Sequence, residues 1–130
     1  MILTKNDEKL DVLFRIGICF TFVGHGYYAF TGKSEWIPLV QAYGFSYEQA
    51  IIILPLIGVM DMLVGASILI KPLRPIIIWA AIWAFIAALS RPLSGMDLLE
   101  MIERSSNWAL PLAYLLYSSK NQKLIKEELL

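Results

Sequence analysis

The chain has 130 residues, of which 58% are hydrophobic and 17% charged, and its eleven basic residues balance eleven acidic ones. That length suits one domain, the apolar share exceeds the ~45–50% of ordinary soluble domains, and the zero net charge gives no reason to expect a nucleic-acid partner. The single cysteine, Cys19, excludes an internal disulfide and a CxxC redox pair.

The head of the chain, TKNDEKLD, mixes acidic and basic residues and precedes a run from Val12 to Phe30 broken only by Arg15 and His25. No A-x-A-like site follows, so the run reads as a retained helix and not as a cleaved signal. Then comes TGKSEWIPLVQAYGFSYEQ, in which Gly32, Pro38 and Gly44 should break any long helix. Its aromatic cluster, with Tyr27, Tyr28, Trp36, Tyr43 and Tyr47, reads as an interfacial belt or as the roof of a pocket.

Ala50 to Ile70 is twenty-one residues with one charge, Asp61, which matches the ~20 needed to cross a bilayer core. The link KPLRP stops that helix with Pro72 and lets the next begin at Pro75, so the second and third helices should form a close antiparallel hairpin. The third run, Pro75 to Leu89, carries no charge and spans about 22 Å as a helix. Between Ser90 and Asn107, Met96, Leu98, Leu99, Met101 and Ile102 alternate with acidic residues as in a short amphipathic surface helix. The last run, NWALPLAYLLY, becomes a span only by extending toward residues 104 and 119, and the Lys120, Lys123 and Lys126 tail reads as solvated or headgroup-facing.

The predicted fold is therefore all-α. It is one integral membrane domain of four transmembrane helices, about 12–30, 50–70, 75–90 and 104–119, with a surface helix between the third and fourth. Seven basic residues on the side of the termini face Lys33, Arg91 and Arg104 on the other, which predicts cytoplasmic N- and C-termini in a plasma membrane, the inner one of a bacterium.

Ionisable residues inside spans face the bundle interior or a watery cavity by default, and a central Asp costs about 3 kcal/mol on insertion scales. Asp61 should therefore find a cation or hold a proton, and Arg15 is the expected partner in a buried ion pair that fixes helix register. His25, ten residues beyond Arg15 and about 80° around the helix from it, borders the same sector toward the outer half. Gly24 and Gly26 leave room beside its ring for a water, a headgroup or a cofactor edge; the plainer reading is a hydrogen-bonded packing residue. Gly17 and Gly24, Gly58 and Gly65, and Ala80, Ala84 and Ala88 form small-residue lines suited to close helix packing. Glu103, Arg104 and Asn107 form an outer polar cluster with Arg91, holding the surface helix on the bundle mouth. One histidine and one cysteine on different faces make no metal site, and no catalytic motif is present. The chain is thus expected to have no catalytic activity on its own.

The pattern RIGICFTFVGHG followed by DMLVGASILIKPLRP resembles the DoxX-like family of small four-helix membrane proteins, over roughly Arg15 to Tyr117. The resemblance implies the four-helix fold, with Asp61 where the family often has glutamate and Lys33 loosely matching a lysine after the last glycine. The family takes its name from a subunit of a thiosulfate to quinone oxidoreductase, and related branches are thiol-redox helpers with cysteine pairs, which this chain lacks.

Two functions follow. The favoured one is an accessory, assembly or interaction module that contacts membrane lipid and a membrane-protein partner or its own copies, within a larger complex. The alternative is a subunit binding a quinone or lipid-like molecule in the outer half, with His25, Asp61, Trp36, Arg91 and Trp108 as ligand contacts and no intrinsic cofactor.

Overall fold

The computed structural model describes residues 4–129. Among them the chain is helical with no strand: α1 (Lys5–Phe30), a 3-10 turn (Ser34–Trp36), α2 (Ile37–Gln41), α3 (Tyr47–Ile70), α4 (Arg74–Leu93), α5 (Leu98–Ile102) and α6 (Ser105–Leu129). Local chemistry sets the ends. Thr4 with Asp7, and Ser46 with Gln49, form reciprocal capping boxes that satisfy the first free amides of α1 and α3. Gly32 at φ 73° and Gly44 at φ 96° turn the chain where a side chain would be strained. No long helix forms between these glycines, as expected: α2 has five residues, and Pro38 lies in its first turn, where its missing amide costs nothing.

Three helices, α1, α3 and α4, are long and apolar enough to cross a membrane. They contain the predicted spans 12–30, 50–70 and 75–90. The segment 104–119 falls in α6 apart from Arg104, but α6 is free of charge only from Ser105 to Ser119, about 22 Å of helix, before its polar end. Large apolar side chains, among them Leu13, Phe20, Leu56, Leu63 and Leu116, are exposed around the bundle. Such a surface is compatible with a membrane protein.

The tightest packing is α1 against α3. A methyl group added at Gly58 would collide with the Phe30 amide nitrogen and lie 2.5 Å from the Gly26 carbonyl oxygen, so the backbones meet there with no side chain between them. Gly65 approaches the Cys19 carbonyl in the same way. The small residues of α3 behave as expected, but the partner on α1 is Gly26; Gly24 faces open space and Gly17 meets Leu110 of α6. Of the two glycines expected to leave room beside His25, Gly26 is closed off by α3 and Gly24 is open.

The second close pair is α4 with α6, and α1 touches α6, whereas α3 and α4 share few contacts despite the short link between them. The expected close hairpin is therefore absent. Side chains from α1, α3, α4 and α6, including Ile18, Phe22, Ile68, Ile77 and Tyr114, build one core, and α2 closes a second over Ala29, Ala50 and Leu54.

The glycine contacts fix an antiparallel register in which Gly26 opposes Gly58 and Cys19 opposes Gly65, so Arg15 arrives level with the end of α3. Its guanidinium donates to the carbonyls of Ile68 (3.2 Å), Leu69 (3.1 Å) and Ile70 (3.0 Å) and meets Asp11 at 3.3 Å. These carbonyls lack helical donors, and the cation also complements the negative end of the helix dipole. The expected buried pair of Arg15 with Asp61 does not form. Asp61 stands level with about Val23, eight residues from Arg15 and roughly 12 Å away along the axis. Nearby, the Tyr114 hydroxyl donates to Asp11 at 2.6 Å, the Tyr117 hydroxyl donates to the Asp7 carbonyl at 2.7 Å, and Arg74 donates to Ser119 at 2.9 Å.

The glycine contact generates a direct test. Gly58→Val should lower stability by about 1–3 kcal/mol through overpacking, while Gly24→Ala should leave it near wild type. Reversible unfolding of the detergent-solubilised protein measures both, and equal effects would show that the register rests elsewhere.

Candidate binding cavity

Because α3 and α4 diverge, a cavity of about 380 Å³ lies between the two helix pairs, in the half of the bundle capped by the α1–α3 and α4–α6 connections. Its wall is apolar through Phe22, Leu54, Ile57, Ala84 and Ala88. Polar groups collect at its two ends. At the capped end are His25, Ser90, Arg91, Arg104 and Asn107; at the deep end is Asp61.

Four of the five expected ligand contacts, His25, Trp36, Asp61 and Arg91, line this one space. Trp108 does not. It packs edge-on against Phe85, with centroids 5.8 Å apart, and supports the core.

Trp36 organises the capped end. It leaves the 3-10 turn toward the bundle, where His25 meets it edge-on at 5.7 Å and the Arg91 guanidinium lies over its ring at 5.8 Å. Lys33 stands 5.1 Å from the same ring and 4.8 Å from that of Tyr28. Of the two readings of the aromatic cluster, Trp36 and Tyr43 roof a pocket, while Tyr27, Tyr28 and Tyr47 stay exposed. The Tyr43 hydroxyl donates to the Ile86 carbonyl of α4, and burial raises its phenol above the ordinary value, so it remains a neutral donor there.

At the deep end Asp61 is buried, and its Oδ1 accepts from the Trp83 indole nitrogen at 2.8 Å. No cation pairs with it among the described residues. Trp83 is held in turn by stacking on Trp79, with centroids 5.6 Å apart. Sequence reasoning missed Trp83, whose only signal was an indole four residues after another in an apolar helix, as ordinary packing would also give.

The outer polar cluster is divided. Arg104 pairs with Glu100 at 3.1 Å and with Glu103, and donates to the Glu100 carbonyl at 2.8 Å. Asn107 lines the cavity and Glu103 does not. Arg91 is buried, and its Nε has no hydrogen-bond partner among the described residues. No group of three or more metal-ligating side chains occurs among the described residues.

Comparison of the chain with protein-family models finds none that matches, and comparisons with curated proteins and with solved structures find no match either.

The hydrogen bond across the cavity floor should be measurable. Asp61→Asn and Trp83→Phe are expected to be non-additive in a double-mutant cycle, with a coupling of about 0.6 kcal/mol, the mean for polar contacts between membrane helices. Arg15→Gln combined with Asp61→Asn should instead be additive. Coupling in the second cycle and none in the first would reverse the assignment.

Proposed function

We propose that this chain is a small multi-pass membrane protein that holds an amphipathic small molecule between its two helix pairs. The observation that carries the reading is one cavity with an apolar wall and polar groups at both ends, of a volume within the ~300–1,000 Å³ range of ligand pockets. An interaction module needs only a filled interior, so the cavity favours the ligand reading over the accessory one that the sequence suggested. A helix bundle is also a common place for such sites.

In this reading α6 is the fourth span and α5 lies at the membrane surface, where its exposed Leu98, Leu99 and Ile102 meet the headgroup boundary. The basic residues on the side of the termini put that side in the cytoplasm and the cavity in the outer half. The resemblance to DoxX-like proteins adds a quinone to the candidate ligands and a larger membrane complex to the candidate settings.

Ala88→Phe and Ile57→Trp place bulk in the cavity, while His25→Gln keeps a hydrogen-bonding group of similar length. Protein purified in mild detergent should carry a small organic molecule by mass spectrometry, which the two filled variants lose and His25→Gln retains in part. Circular dichroism verifies that each variant folds. Folded wild type that carries no such molecule, and acquires none from a membrane extract, would reject the reading.

Orientation is checked separately. A cysteine at Ser34 of a Cys19→Ala variant should label from outside intact cells, and a reporter after Leu130 should be cytoplasmic. Labelling only after the membrane is opened would reverse the topology.

A further inference from the structure

The geometry points to an anionic amphiphile as the ligand of this cavity, with its carboxylate or phosphate head on Arg91 and its apolar body reaching toward Asp61. This inference rests on the cavity-binding reading above and adds the charge of the ligand and its direction in the site.

The two arginines at the capped end are in different states. Arg104 is held in direct ion pairs by two carboxylates, Glu100 and Glu103. Arg91 is only 9% exposed, yet among the described residues its guanidinium forms no ion pair and its Nε no hydrogen bond. The face of Trp36, 5.8 Å away, attracts the cation without satisfying any N–H, and Glu100 and Glu103 act on it only through space, since both pair directly with Arg104. A buried charge with unmet donors carries a penalty that an anion is suited to relieve. A guanidinium offers two parallel N–H groups in the geometry that carboxylate and phosphate oxygens accept.

The rest of the capped end suits the same head. Lys33 stands 5.1 Å from the Trp36 ring, and Asn107 and His25 supply donors along the wall, whereas the Ser90 hydroxyl already donates to the Ala87 carbonyl. The acidic residues of this region, Glu100 and Glu103, are engaged by Arg104. Asp61, the carboxylate that also lines the cavity, sits at the far end: Trp83, which binds it, and Arg91 are eight residues apart on α4, about 12 Å of helix rise. An anion at Arg91 is therefore separated from Asp61 by the apolar wall of Leu54, Ile57 and Ala84. A neutral head would leave the guanidinium unmatched, and a cationic one would be repelled.

The test uses decanoate, decyl phosphate, decanol and decyltrimethylammonium, titrated into the full chain in phosphatidylcholine nanodiscs and followed by the fluorescence of the cavity tryptophans. Each probe is referenced to empty nanodiscs. Wild type should favour both anionic probes over decanol by about tenfold or more, as expected of a hydrogen-bonded charge. Arg91→Gln should abolish that preference, bringing the anionic probes to the level of decanol in the same variant, and Arg91→Lys should keep part of it. If Arg91→Gln does not fold, the preference of wild type and of Arg91→Lys is still decisive.

Nanodiscs containing phosphatidylglycerol separate two sources of the anionic head. Displacement of decanoate by that lipid assigns the head to a membrane phospholipid, and undisturbed binding assigns it to a free amphiphile; both support the inference. Equal binding of anionic, neutral and cationic probes that Ala88→Phe abolishes would overturn the anionic ligand and leave the cavity reading intact. Binding of no probe would overturn both.

Discussion

The architecture depends on one place where two backbones touch. At Gly26 and Gly58 no side chain separates α1 from α3, and the antiparallel register set there fixes the depth of every polar group on the two helices. In a bundle whose outer faces are apolar, hydrophobic burial discriminates poorly between one helix pairing and another, so close packing of small residues decides. It spends the small face of α3 on α1. Little is left on α3 to approach α4, and the space between them becomes the cavity.

The buried polar contacts of the bundle are of unequal quality. Arg15, Arg104 and the Asp11–Tyr114 pair are satisfied within the chain, whereas Arg91 has the Trp36 ring beside it and an Nε without a partner among the described residues, and Asp61 has one indole N–H. Groups that only fix packing are the satisfied ones. The incompletely satisfied ones both line the cavity.

The helices were legible because each rests on a local signal: apolar runs of span length, a proline-bounded link, and glycines at the turns. The association of His25, Asp61, Trp36 and Arg91 was legible in part, since charges and imidazoles in apolar helices turn inward. Partner choice was not. Deciding between Arg15 and Trp83 for Asp61 needs the register of α1 on α3 to within one turn, and the sequence presents Gly24 and Gly26 alike while only Gly26 makes the contact. The hairpin of α3 and α4 was misread for a related reason, because a short link brings two helix ends together and says nothing of the faces between them.

Arg15 has a consequence for assembly. It completes the end of α3 from a position 53 to 55 residues earlier in the chain. The last carbonyls of α3 therefore have their donor from a helix synthesised before them. A fragment beginning at α3 would retain its own capping box and its whole apolar run, and would still end in bare acceptors. Order of synthesis thus becomes part of the design: the first helix is the template on which the end of the next long one is finished.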